Sequence, residues 1–238
     1  MIVFAVGDGH GEKTQGKRTP DGYKENFFNN AAKIHTIREL KRHGVTVLDV
    51  SPESDDTPLS VRCSRANRGI NNVKPKGFCS IHFNAYGNGE EYNEVEGIET
   101  FSHPNAPSEG GKLLSRYLHD YLIQGTKQLD RGTKYADFYV LRNTHCPAAL
   151  VECGFMTNKR ESELMQDTTF QLECGIEIAK GALKYIGINW QAEKYVEKYE
   201  EILKEVSNYY KTWIKFVEKH PEVNLKGLIE RLYYICGK

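Results

Sequence analysis

The chain opens on an apolar, β-branched run, Ile2-Val3-Phe4-Ala5-Val6, that passes straight into Gly7-Asp8-Gly9-His10-Gly11. Such a run reads as a strand buried on both faces, the kind that parallel sheets contain. That constrains the rest of the chain, because parallel neighbours need a crossover, usually a helix, between them. Glycines on both sides of His10 allow backbone angles denied to other residues and let another segment come close. The imidazole would then stand at the carboxyl end of a strand, where open α/β sheets place their ligands. Taken alone, His10 also reads as a turn histidine with no task.

The remaining sequence alternates strand and helix. Residues 12–23 form a polar loop rich in turn formers, suited to the rim of a site. A helix is expected over 24–43, with Phe27, Phe28, Ala31, Ile34 and Leu40 on its apolar period and Gly44 as its stop. Strands are expected over 45–50, 77–83, 95–101, 138–142 and 148–153, and helices over 58–71, 108–122, 159–165 and 170–186. The fold class is therefore α/β, a mostly parallel twisted sheet of about six strands with helices on both faces, over residues 1–189. After Ile188 the pattern changes: Val196, Tyr199, Leu203, Val206, Tyr210, Trp213 and Val217 trace a heptad seam, and Pro221 begins a shorter amphipathic stretch. Residues 190–238 are expected to form a small C-terminal helical hairpin with a role in packing, in oligomerising or in recognising a target surface.

Lysine plus arginine number 32 and aspartate plus glutamate 32, so no global field draws this chain to nucleic acid or to an anionic membrane. The start lacks the basic segment and long apolar core of a signal peptide, and no later run approaches membrane-spanning length. Synthesis in the cytoplasm without a signal peptide is the expectation. The cysteines at 63, 79, 146, 153, 174 and 236 show no CxxC pairing and read as reduced thiols. Cys146 or Cys153, with His145 close by, stays open as a nucleophile.

The chemistry rests on residues at strand and helix ends. His10, Glu25 and His82 offer two nitrogens and one carboxylate, the set that leaves a catalytic zinc one open position for water. Carboxyl ends of parallel strands and amino ends of the following helices share one edge, so these residues can converge. One at a time, each also has a plain explanation: a turn, a helix-dipole offset, a core hydrogen bond. Glu152 follows the buried run Ala149-Leu150-Val151, where a carboxylate is costly to desolvate and should face a cleft with a proton or cation. Beside a metal and water it would serve as general base and then acid.

Four blocks then carry a resemblance. Residues 7–11 resemble DPGHGG, Glu25 stands where a helix-opening glutamate ligand is found, residues 80–85 resemble S-[IL]-H-x-N-A, and 131–158 resemble a block closing in LVE-x-GF-x-x-N. In this order they resemble the zinc-dependent N-acetylmuramoyl-L-alanine amidases of bacteria and phages over about residues 2–187. The resemblance implies one Zn2+ per chain held by His10, Glu25 and His82, with Glu152 as the catalytic glutamate. It further implies peptidoglycan as the partner and cleavage of the amide between N-acetylmuramic acid and L-alanine. Gly7-Asp8 departs from the family's Asp-Pro and alters the turn before His10, while the ligand remains. Asn84 and Arg142 are candidate substrate contacts, and Arg62, Ala66 and Asn67 are expected to pack. The remaining histidines, 35, 43, 103, 119, 145 and 220, are expected at the surface. Two rivals stay open: a non-catalytic wall-binding module, and a zinc peptidase cutting within the stem peptide. A phage endolysin, released to act on the wall at lysis, suits the expected absence of an export signal, with a host autolysin second and homo-oligomerisation through the C-terminal helices possible.

Overall fold

A computed structural model describes residues 1–105 and 108–192; the heptad seam and the helix after Pro221 lie outside the described residues. In chain order the elements are β1 (Val3–Asp8), α1 (Glu25–Arg42), β2 (Thr46–Asp49), α2 (Leu59–Arg68), β3 (Phe78–Asn84), β4 (Ile98–Ser102), α3 (Ser108–Thr126), β5 (Asp130–Tyr135), α4 (Tyr139–Asn143), β6 (Ala148–Phe155), α5 (Lys159–Gln166) and α6 (Thr168–Tyr185). The six strands form one sheet in the order β2-β1-β3-β6-β4-β5. β2, β1, β3 and β6 run parallel, while β4 is antiparallel to β6 and carries β5 parallel to itself at the edge.

Strand alternation divides the side chains between two layers. Phe4, Val6, Cys79, Ile81, Phe83, Ala149, Val151 and Cys153 point into one core, covered by Phe28 of α1, Leu114 and Leu118 of α3 and Ile178 of α6. Ala5, Phe78, Ala148 and Leu150 point the other way, against Cys63 and Ala66 of α2 and Val140 and Leu141 of α4. By the same alternation Ser80, His82, Glu99 and Glu152 belong to the second face. Polar side chains thus accumulate on that face toward the end where β3 and β6 finish.

Two expectations are corrected. The stretch 138–142 is not a strand: Tyr139–Asn143 is the short helix α4, and the sixth strand is β5. An edge strand pairs on one side only, so the polar sequence Asp-Arg-Gly-Thr-Lys-Tyr suffices for it. In turn, the apolar pattern of 138–142 reflects Val140 and Leu141 seated on α2. The second correction is the inner face of α1. Phe27 and Ile34 are 42% and 47% exposed, while Glu25, Asn26, Asn29, Lys33, Thr36 and Glu39 are buried beside Phe28, Ala32 and Leu40. A search for an apolar period finds the wrong stripe, because this helix turns hydrogen-bonding groups inward.

Those groups find partners, Asn29 Oδ1 excepted among the described residues. Lys33 Nζ lies 3.2 Å from Asp8 Oδ2 and 3.3 Å from Asp49 Oδ2, and donates to the Ser51 carbonyl at 2.7 Å. Asp8 also accepts from Asn30 Nδ2 at 3.0 Å and from the Ser51 hydroxyl. The departure at Gly7-Asp8 therefore places a carboxylate in a buried ion cluster at the end of β1. At the far end of β6, Asn158 caps α5 by accepting from Glu161 N at 3.2 Å. The buried Glu161 carboxylate in turn accepts from Phe155 N at 2.7 Å and Gly97 N at 3.0 Å, tying β6 to the approach to β4.

Removing one partner of a buried ion pair strands the other charge, at a cost of about 3–5 kcal/mol. Lys33→Met should accordingly lower stability in denaturant unfolding by an amount of that order, and Asp8→Asn with Lys33→Met should recover a large part of it. Simple additivity of the two changes would show that Asp8 and Lys33 do not stabilise each other.

Candidate metal centre

β1 delivers His10 through a tight turn. The sequence leads one to expect the unusual backbone angles at the flanking glycines, but His10 itself takes the left-handed conformation, with φ 60°. The glycines supply space: a Cβ on Gly9 would stand 2.2 Å from His82 Cε1 and Nδ1, and one on Gly11 2.1 Å from the Asp56 amide nitrogen. A non-glycine residue in this conformation needs support from outside. It comes from side chains gripping the turn's carbonyls. Asn26 Nδ2 donates to His10 O at 3.0 Å, Asn29 Nδ2 to Gly9 O at 3.1 Å, and the buried Arg62 guanidinium to Asp8 O and, at 3.3 Å, to His10 O. Arg62, expected only to pack, therefore helps to hold the His10 turn.

Glu25 opens α1 and is 2% exposed. Its backbone N–H donates to Lys17 O at 3.0 Å, which joins the helix start to the polar loop. Oε2 lies 3.3 Å from His10 Nε2, and Oε1 lies 3.3 Å from His82 Nδ1. Oε1 also accepts from Asn29 Nδ2 at 2.9 Å and Phe83 N at 3.2 Å. The other nitrogen of His82, Nε2, is 3.1 Å from the Ser80 hydroxyl, which leaves Nδ1 turned to Glu25. One ligand atom from each of His10, Glu25 and His82 falls within 4.8 Å of the others. Two imidazoles and a carboxylate at this spacing can hold a metal ion.

Electrostatics agrees with that use. Burial, with His82 adding to it and Glu25 opposing it, lowers the His10 pKa to about 4, so the ring is neutral at pH 7 and can offer a lone pair. Burial also acts against the Glu25 carboxylate, but the hydrogen bond and charge of His82, then the charge of His10, outweigh it and hold the carboxyl down at about 2. β6 brings Glu152 into direct register with His82. Burial first, then the Glu25 charge, pushes the Glu152 carboxyl well above the usual range, and its Oε2 has no hydrogen-bond partner among the described residues. An ionised, buried Glu25 with a second buried carboxyl feeling its charge is a setting that a dication would balance. The residues fit a metal.

On the other side of β6, Glu99 pairs in register with Glu152 and accepts from Arg131 Nε at 2.6 Å, Lys134 Nζ at 2.5 Å and Asn84 Nδ2 at 3.3 Å. Asn84 thus stays at the site edge, bound into an ionic cluster. Arg142 does not join it. From α4 it pairs with Asp137, just before that helix, at the end of the sheet where β6 begins, whereas the ligands stand where β1, β3 and β6 end. A nucleophilic cysteine is also set aside: Cys153 points into the apolar core, and burial raises the Cys146 thiol to about 12. Nor are all other histidines superficial. His119 is buried between Thr100 and Asp130, and His103 is buried against Asp137. Asn67 packs as expected, donating to Asn143 O at 2.8 Å.

The family model described as N-acetylmuramoyl-L-alanine amidase, Amidase_3, matches residues 5–184. An endolysin of Bacillus phage SPP1 is 31% identical over 197 residues, 81% of this chain and 69% of that protein. The N-acetylmuramoyl-L-alanine amidase LytC of Bacillus subtilis is 26% identical over 76% of this chain, which spans only 34% of LytC. Among solved structures, the catalytic domain of the amidase CwlV from Bacillus (Paenibacillus) polymyxa superposes with a TM-score of 0.70 at 28% identity, covering 79% of this chain and 100% of that one.

Because a Cβ on Gly9 would drive into the His82 ring, Gly9→Ala should fold yet retain roughly a tenth or less of the wild-type metal per chain after dialysis, counted by atomic absorption. Full metal content in that variant would contradict this arrangement of the ligands.

Proposed function

Because the chain belongs to the N-acetylmuramoyl-L-alanine amidase family and is an enzyme of that class, we propose that it uses one zinc ion to hydrolyse the amide joining N-acetylmuramic acid to L-alanine of peptidoglycan. The observation that carries this reading is the meeting of His10, Glu25 and His82, with Glu152 in register beside His82. His10, Glu25 and His82 would hold the ion. Zinc, when bound, supplies a Lewis acid that polarises a carbonyl and brings the pKa of water to about 7.

The chain's own part is to manage the proton and align the amide. Glu152, buried and with no hydrogen-bond partner on Oε2 among the described residues, would take a proton from the attacking water as the carbon–oxygen bond forms. It would return that proton to the departing nitrogen as the carbon–nitrogen bond breaks. The products are a lactyl carboxylate and a free L-alanine amino terminus. The raised Glu152 pKa suits the second half of this cycle, and a neighbouring dication favours the ionised form needed for the first. Asn84, at the end of β3, is a candidate substrate contact.

For the setting, the match to the SPP1 endolysin supports action on the wall after release at host lysis, and the match to LytC keeps a host autolysin as second reading. Among the described residues no helix is long and apolar enough to cross a membrane.

Purified protein incubated with peptidoglycan should generate new L-alanine amino termini without new reducing ends, with loss of activity in chelator and recovery on zinc addition. Amino termini from another stem residue would identify a peptidase instead, and zinc uptake without any release would indicate a wall-binding module. Glu152→Gln should keep its zinc but turn over roughly 100-fold more slowly or worse; near-normal turnover would remove Glu152 from the proton path.

A further inference from the structure

We propose that Asn29 is the positioning residue of the metal centre, fixing two of its three ligands at once. The inference rests on the reading of His10, Glu25 and His82 as metal ligands. Asn29 lies one helical turn after Glu25 on α1 and is fully buried. It spends both amide hydrogens on this centre, donating to Glu25 Oε1 at 2.9 Å and to the Gly9 carbonyl at 3.1 Å. Both partners are acceptors, so reversing the amide would set oxygen against oxygen, and the orientation is fixed by chemistry. Its own Oδ1 has no hydrogen-bond partner among the described residues. An apolar side chain would avoid that unpaired acceptor, so the benefit of asparagine here lies in its two donors.

Their effect is directional. With Asn29 and the Phe83 amide both donating to Oε1, Oε2 is the carboxylate oxygen left toward His10 Nε2. The bond to Gly9 O reaches the residue just before His10, whose left-handed backbone needs outside support. Asn26 and Arg62 grip the same turn, but their bonds reach only carbonyls of the His10 turn and Asp56 or Thr57, never Glu25. Ser80 orients His82 alone. Asn29 thus couples β1 to α1 at the point where their ligands must meet. Groups that orient metal ligands from behind typically change metal affinity by about 10- to 100-fold when removed.

The test is titration of metal-free protein with Co2+, whose visible absorption reports ligand geometry, followed by competition with Zn2+. Asn29→Ala, and Asn29→Leu, which keeps the branched shape without the donors, should bind about 10- to 100-fold more weakly and show an altered cobalt spectrum. Thr36→Ala serves as control for plain destabilisation: Thr36 is equally buried on α1, and its hydroxyl reaches the Ala32 and Gly175 carbonyls, away from the ligands. It should leave affinity and spectrum unchanged. In wild-type protein the Asn29 side-chain NH2 resonances should be protected from solvent exchange and shift on metal addition, a readout that needs no variant. Wild-type affinity and spectrum in a folded Asn29 variant, equal losses in Thr36→Ala, or freely exchanging, unshifted Asn29 resonances would overturn the assignment. Wild-type protein that takes up neither metal would overturn the metal-site reading along with it.

Discussion

A carboxylate buried between two imidazoles is the condition on which the rest of this structure depends. Glu25 is almost wholly removed from water, and an ionised carboxylate in such a place is tolerated only when its oxygens are hydrogen-bonded or paired. That requirement accounts for the Asn29 N–H on Oε1, for the Phe83 amide and for the two histidines at 3.3 Å. Glu152 is held above its ordinary protonation range first by its own burial and then by the ionised Glu25 charge, which together make its proton hard to lose. A dication between them would relieve both at once.

Sheet geometry does the sorting. Alternation along β3 and β6 sends Cys79, Ile81, Phe83, Val151 and Cys153 into the core and Ser80, His82 and Glu152 to the opposite face. On that face α2 and α4 pack against the beginnings of these strands, through Phe78, Ala148 and Leu150. The strand ends therefore present polar groups while the same strands bury apolar ones. Antiparallel β4 then adds Glu99 directly opposite Glu152, with Arg131 and Lys134 neutralising it. The result is a row of ionisable groups across the sheet edge, His82, Glu152 and Glu99 in adjacent strands, flanked by the His10 turn.

Most of the fold was legible because burial on both faces leaves a plain mark. The runs that became β1, β3 and β6 are mostly apolar up to the residues that close them, and parallel neighbours demand helices between them. The site was legible for a related reason, since a histidine or glutamate closing such a run has nowhere to go but the sheet edge. β5 was not legible: as an edge strand it needs no apolar face, and its polar sequence looks like loop. α4 was misread because two adjacent apolar residues on a single helical turn mimic a short strand. The inner stripe of α1 was missed because periodicity searches weigh apolar residues, and here Asn29, Lys33 and Glu39 are the buried ones. Asn29 left one weak trace in the sequence, its four-residue spacing from Glu25, which places the two side chains on one face of a helix.

By itself, then, the sequence determined the α/β class, the family resemblance, and the identity of His10, Glu25, His82 and Glu152 as groups of one edge. These rest on local rules, the alternation of strands and the chemistry of residues that close them. What only the tertiary structure decided is which secondary contacts hold them there. The left-handed turn at His10, the donors on its carbonyls, the Lys33 cluster behind Asp8 and the exile of Arg142 to the opposite edge all depend on segments distant in the chain. Hydrogen bonds and buried charges are satisfied by whatever group the fold brings near, and no spacing along the chain encodes that partner.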